Sequence, residues 1–199
     1  MRWYWRSLAA IGLLIVVLYL AVVRPYAVQW GATPDELSMP LPGDAYITPD
    51  VIVSTRALTI HAPPEVVWPW LAQIGQNRGG FYSYDWLENL FAADMRNAEV
   101  IIPEWQWPEP GDRVYYQRDG LYVEINVVHP QRTLALGGWT FFLKPIDAQT
   151  TRLIVRYPSF PITGLGDAVY YYAIFEPAHF VMEVGMMLGL KRLAETNGG

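Results

Sequence analysis

Asp85 and Glu88 stand three residues apart, a spacing that puts two carboxylates on one helical face, where they can meet one substrate or one cation. They sit in the densest polar and aromatic stretch of the chain, with Arg78, Phe81, Tyr82, Tyr84 and Trp86 on and just after the Gly79-Gly80 pair. Such a cluster can orient a ligand through a charge pair, supply a general acid or base, and rim a cavity with rings. A plainer reading stands beside it. Asp85 then complements a helix dipole, Glu88 is solvated, and the rings cover the core.

A second set lies near the C-terminus, where Glu176, His179 and Glu183 fall at i, i+3 and i+7 of a helical pattern. Glu-x-x-His is half of a di-iron carboxylate motif, but the other half is absent and the remaining histidines, His61 and His129, lack companion ligands. No metal and no cofactor is expected. His179 is read as a buried hydrogen-bonded group, a pocket group that orients a ligand, or a general acid or base alongside Asp85 or Glu88. Met182, Met186 and Met187 on the same helix offer an adaptable thioether wall, or simply core filler. Gly185 and Gly189 permit close approach of sheet or ligand. Arg56 shares its strand face with Leu58 and Ile60, so either it lines a cavity or that face is wet near the strand's start. No nucleophile elbow, phosphate-binding glycine loop, zinc spacing or dinucleotide fingerprint occurs.

Composition narrows the classes further. The net charge is -5 and the longest basic run is the pair Lys191-Arg192, so the electrostatic footprint of a nucleic-acid binder is missing. Cysteine is absent, which removes disulfides and thiolate chemistry. Aromatic residues make up 15% of the chain, with nine Trp and thirteen Tyr, enough ring surface for a pocket wall, a membrane rim or both.

The elements that must position these residues begin with an apolar segment. Ser7 to Val23 carries no charge and is bracketed by Trp3, Tyr4 and Trp5 on one flank and Tyr26 and Trp30 on the other. Seventeen helical residues rise roughly 25 Å, slightly short of a bilayer core, and flanking rings and arginine stems extend the apolar body. A cleaved signal peptide shares the basic start and apolar run, but here the run meets Arg24-Pro25 without an A-x-A stretch. The expectation is a single-pass anchor over residues 1–24 that contacts the bilayer through residues 7–23. Arg2, Arg6 and the terminal amine against Arg24 alone place the N-terminus in the cytoplasm and the main domain outside it.

Residues 25–50, with five prolines, read as an extended arm. From Val51 the pattern is that of one domain over residues 51–196. A β-branched strand ends at His61-Ala62-Pro63-Pro64, and a helix follows with Val67, Trp70, Leu71 and Ile74 on one face. A second short helix runs over roughly 84–92. Strands then dominate, with tight turns at Asp119-Gly120 and Gly137-Gly138 and broader ones at His129-Pro130-Gln131 and over 147–150. Val123, Ile125 and Val127, then Leu153, Val155 and Tyr157, alternate toward one face, leaving the other wet. A long helix over 178–195 closes the chain at Asn197-Gly198-Gly199. Asp167, Glu176, His179 and Glu183 interrupt the apolar run there, so no second span is expected.

This order of elements, with APPEVVWPWLAQIG at 62–75, RGGFYSYDWLENL at 78–90 and EPAHFVMEVGMMLGLKRLAE at 176–195, resembles the START-like superfamily called SRPBCC. That superfamily includes birch-pollen allergen, lipid-transfer and aromatase/cyclase proteins, and the last two stretches resemble its uncharacterised membrane-anchored branch. The resemblance implies an α+β helix-grip fold, a curved antiparallel sheet around a long C-terminal helix, with an apolar cavity between them. It implies a membrane-tethered binder or carrier of a small hydrophobic ligand such as a lipid, polyketide-like or aromatic molecule. A cyclase- or hydrolase-like enzyme and a non-catalytic envelope interaction module are the alternatives. Ligand contacts are expected from Arg78, Phe81, Tyr82, Tyr84, Trp86, His179, Met182 and Met186.

Overall fold

A computed structural model describes residues 2–90, 93–118 and 120–197. It opens with helix α1 (Arg2–Leu18), which continues through a π-helical turn (Tyr19–Val23) into α2 (Arg24–Val28). The rod Trp3–Val28 has 26 residues, and the most apolar window in it, at a mean hydropathy of 2.4, has no buried residue. At 1.5 Å per residue the rod is about 39 Å long, which exceeds a ~30 Å hydrocarbon core. This N-terminal apolar helix has the length and composition of a membrane anchor or a signal sequence.

The segment expected to be an extended arm is folded and docked. Helix α3 (Pro34–Ser38) starts with a capping box, in which Thr33 Oγ1 accepts from the Glu36 amide and Glu36 Oε2 accepts from the Thr33 amide at 2.8 Å. A 3-10 turn follows at Pro42–Tyr46. Leu41 of the arm packs with Ala57, Phe142 and Ile154 of the sheet. Arg152 Nε meets Glu36 Oε1 at 2.8 Å, and Arg156 Nη1 meets Asp44 Oδ2 at 2.8 Å. The sheet face expected to be wet is therefore covered here.

The fold is α+β: a six-stranded antiparallel sheet and a long C-terminal helix. The strands are β1 (Val53–Ile60), β2 (Arg113–Tyr115), β3 (Tyr122–His129), β4 (Thr133–Leu136), β5 (Trp139–Asp147) and β6 (Thr150–Pro158), in the order β1-β6-β5-β4-β3-β2. Gly137 and Gly138 join β4 to β5 with φ of 56° and 93°, the two positive values that a tight hairpin turn of this twist requires. The β2–β3 hairpin also forms, but with a wider loop than Asp119-Gly120 implies. Tyr115 pairs with Tyr122, and the Tyr116 amide donates to Leu121 O at 2.9 Å. Asp119 lies outside the described residues, as do Phe91 and Ala92 at the end of the second short helix and Gly198-Gly199.

Leu153, Val155 and Tyr157 share the inner face as their alternation predicts. On β3 the alternation fails after Ile125. A bulge there shifts the register, so that Val128, rather than Val127, packs on the core. One extra residue in a strand moves every following side chain to the opposite face.

The inner face is covered by α4 (Pro64–Ala72) and α7 (Glu176–Asn197), with α5 (Asp85–Leu90) at one end. Val67, Trp70 and Leu71 of α4 and Met186, Met187, Leu190 and Leu193 of α7 bury against Leu58, Ile60, Phe141, Leu143 and Leu153. Helix α6 (Leu165–Tyr170) and a π-helical turn (Tyr171–Phe175) run directly into α7. This rod, Leu165–Asn197, is also long and apolar enough by composition to cross a membrane, but 33% of its most apolar window is buried inside the protein. Its C-terminal half is a core helix.

Candidate functional site

A cavity of about 390 Å³ opens between the sheet and α7. That volume falls in the range of small-molecule sites, roughly 300 to 1,000 Å³. Its wall is aromatic: Phe81 from the loop after α4, Tyr116 after β2, Trp139 from β5 and Tyr157 from β6. Phe81 lies 5.9 Å from both Tyr116 and Trp139, and those two lie 6.1 Å apart, all at shallow interplanar angles. Helix α7 contributes His179, Met182, Glu183 and Met186, and the segment before it Tyr170, Ile174 and Phe175. The lining residues Leu121 (67% exposed) and Ile174 (56%) mark the rim.

The polar groups at this cavity fall into two kinds. Glu183 is satisfied: Oε2 accepts from Arg56 Nη1 and Oε1 accepts from Trp139 Nε1 at 3.0 Å. Arg56 is 1% exposed; its Nε also donates to Ala27 O at 2.8 Å and its Nη1 to Ser54 Oγ at 3.2 Å. The pair thus fastens β1, α2 and α7 together beneath the cavity. Arg56 neither lines the pocket nor sits on a wet face.

His179 and Glu88 are of the other kind. The His179 ring lies 4.0 Å from that of Tyr157 and 5.5 Å from that of Phe175. Burial pushes its pKa down to about 4, with Glu183 opposing and Arg56 assisting, so the imidazole is neutral near pH 7. Its 3.8 Å approach to Glu183 is therefore a contact of a neutral ring. Glu88 is 4% exposed, and burial, reinforced by the Asp85 charge, pushes its carboxyl up to about 7. Its Oε2 has no hydrogen-bond partner among the described residues.

Asp85 does not join them. It holds the Asn97 side chain through Oδ1, while Asn97 accepts from the Tyr82 amide at 2.6 Å and donates to Ser83 O at 3.1 Å. Asp85 thus fixes the loop carrying Phe81, and the expected pair of convergent carboxylates is replaced by one carboxyl at the cavity and one in the scaffold. Glu176 is likewise diverted, accepting from Arg24 Nε at 2.9 Å and from the Tyr19 hydroxyl at 3.2 Å. Glu176, His179 and Glu183 share a helical face, but different partners claim the two carboxylates.

Of the residues expected at the ligand, Phe81, His179, Met182 and Met186 line the cavity. Arg78 is elsewhere, 3.2 Å from Asp112 and over the Trp105 ring at 4.8 Å. Tyr82 is buried with its hydroxyl donating to Trp70 O at 3.0 Å. Trp86 is 70% exposed. Tyr84 covers Gly185, where an added Cβ would come within 2.7 Å of its ring, and a Cβ on Gly189 would meet Tyr82 O at 2.1 Å. The two helix glycines admit the 82–84 loop rather than the sheet or a ligand. Tyr157 is legible as an inward position of β6; Trp139, at the start of β5, and Asn97 carried no signal.

No protein-family model matches this chain, and no curated protein matches it. Solved structures similar to it include two proteins. The conserved protein of unknown function EF2215 from Enterococcus faecalis is 16% identical, with a TM-score of 0.40 over 77% of each chain. Protein MLL2253 from Mesorhizobium loti is 17% identical, with a TM-score of 0.41 over 73% of this chain and 98% of its own.

Proposed function

We propose that this protein is a membrane-tethered binder or carrier of a small hydrophobic ligand, held in the cavity of a START-like helix-grip domain. The observation that carries the reading is the wall itself, six aromatic side chains and three thioethers around about 390 Å³. The rim supports tethering. Leu165, Val169, Tyr170 and Ile174 are exposed apolar residues on the rod that leads to the cavity, and two of them line it. Arg24 and Tyr19, at the end of the N-terminal apolar helix, bond to Glu176 on the same rod. An anchor in the bilayer would hold this rim at the lipid surface, where apolar molecules are concentrated. The charge bias at the anchor favours a domain outside the cytoplasm.

A second reading, acid–base chemistry, draws on Glu88 and His179, which both line the cavity. Binding accounts for more of the wall, because the expected third group, Asp85, is committed to Asn97. The test is mass spectrometry of small molecules extracted from the full chain purified out of its own host membranes. One dominant apolar species is expected, depleted when Ala178→Trp fills the rim. Extracts that repeatedly match a mock purification overturn the reading.

A further inference from the structure

Of the described residues lining the cavity, Glu88 is the one with a fully buried side-chain oxygen that has no hydrogen-bond partner. Both oxygens of Glu183 are occupied, and the Ser83 hydroxyl donates to Met182 O at 2.9 Å. Glu88 is 4% exposed, belongs to the cavity wall, and leaves Oε2 without a hydrogen-bond partner among the described residues. No arginine pairs with it among the described residues: Arg56 pairs with Glu183, and Arg78 reaches Asp112 at 3.2 Å. A carboxyl in such a place is retained at a cost, since a buried polar group without a partner destabilises the fold. The cost is recovered when a ligand supplies the partner.

Resting on the reading of the cavity as a binding site, we infer that the ligand carries a neutral hydrogen-bond acceptor, a ketone, ester or ether oxygen, which receives a hydrogen bond from the protonated Glu88 carboxyl. The surroundings favour a neutral donor over an ionised carboxylate. Burial disfavours the ionised carboxyl of Glu88, and the Asp85 charge, which is of like sign, acts in the same direction. Apolar body and polar oxygen then divide the cavity between them. The rings and Met182 and Met186 take the hydrocarbon, and Glu88 sets its orientation.

The probe is dodecan-2-one labelled with ¹³C at the carbonyl, loaded onto the full chain in detergent and followed by isotope-edited infrared spectroscopy after gel filtration. The expected result is a retained ketone whose carbonyl band is shifted to lower frequency than in micelles alone. Glu88→Gln, which keeps an N–H donor, should preserve a shifted band. Glu88→Leu should lose it and weaken binding by about tenfold, the worth of one buried hydrogen bond. A retained ketone with an unshifted band in the unsubstituted protein overturns the Glu88 assignment while leaving the cavity as a binding site. Failure to retain ketone, dodecane or dodecylammonium overturns the cavity reading itself. Dodecylammonium binding more tightly than the ketone, and lost in Glu88→Gln, would show that the carboxylate is ionised and would also overturn the inference. The infrared comparison on the unsubstituted protein stands even if a variant fails to fold.

Discussion

On the outer side of the sheet Glu36, Asp44, Arg152 and Arg156 close into ion pairs beneath the arm, whereas on the inner side Glu88 faces an apolar cavity with its Oε2 unpartnered among the described residues and His179 is held neutral between rings. The outer network is saturated. Arg156 also donates to Met39 O at 2.9 Å and to Glu36 O and Leu37 O at 3.1 Å. Burial would raise the Glu36 carboxyl, but the Arg152 guanidinium and the Thr33 amide outweigh it and hold the group below its usual range. Satisfied polar groups of this kind fix where an element docks, and unsatisfied ones tend to mark sites where something else must bind. The two faces thus separate the groups that build the domain from those free to serve a ligand.

The inner face has one exception, the Arg56–Glu183 pair, whose side chains are each 1% exposed. It should behave like the outer network and more strongly, because its burial is complete. Arg56→Met leaves Glu183 charged and buried, with an expected loss of about 3 to 5 kcal/mol in reversible unfolding. Arg56→Met with Glu183→Leu removes both charges and should restore most of that loss. A single substitution costing under about 1 kcal/mol would show that the pair is not what fastens β1, α2 and α7 together.

Arg156→Ala comes next. It frees Asp44 and three backbone carbonyls of the arm, and each lost charge-assisted bond is worth about 1 kcal/mol after solvent compensation. The expected outcome is a loss of about 2 kcal/mol and faster proteolysis within residues 30–48, with ketone binding unchanged. A loss of binding would join the two faces and break the contrast.

The third prediction uses pH. Glu88, raised from 4.5 to about 7, binds more protons folded than unfolded between those values, so it removes stability as pH rises through that window. His179, lowered from 6.5 to about 4, does the reverse and adds stability as pH rises from about 4 to 6.5. Where the windows overlap the two slopes oppose, and the unsubstituted protein should show a nearly flat profile. Glu88→Gln removes one of them and should unmask a rising limb of at most about 1.4 kcal/mol per pH unit. Parallel profiles for the two proteins in chemical denaturation would mean that Glu88 is not held protonated by its site.

Much of this architecture is legible in the sequence because it follows from local rules. The Gly137-Gly138 turn and the inward Leu153, Val155 and Tyr157 follow from φ requirements and from a period of 2, whereas the terminal helix buries Met186, Met187, Leu190 and Leu193 and leaves Leu188 exposed. The β3 bulge escaped because nothing in Ile125-Asn126-Val127-Val128 marks where an extra residue sits. The docked arm escaped because its anchoring depends on Arg152 and Arg156, more than 100 residues away. The site was half legible. His179, Met182 and Met186 of α7 reached the cavity, but Arg78, Tyr84 and Trp86, grouped by proximity in sequence, did not converge in space. Spacing assigned Asp85 and Glu88 the same role; Asn97, twelve residues beyond Asp85, separates them by claiming only the first.

Thr33 offers the smallest and cleanest test of the contrast. Its hydroxyl caps α3, and Glu36 returns the bond to the Thr33 amide at 2.8 Å while also pairing with Arg152. Thr33→Ala removes the cap without touching a charge, so the expected loss is about 1 kcal/mol in chemical denaturation. Because the arm contributes no residue to the cavity wall, the ketone band and its retention should be unaltered. If the band moves, the cap is felt across the sheet. The route would run from α3 through Glu36 and Arg152 to the Thr59 hydroxyl on β1, the strand that also carries Arg56. Under that outcome the saturated face would not be inert scaffold, and the docked arm would help set the shape of the pocket it does not touch.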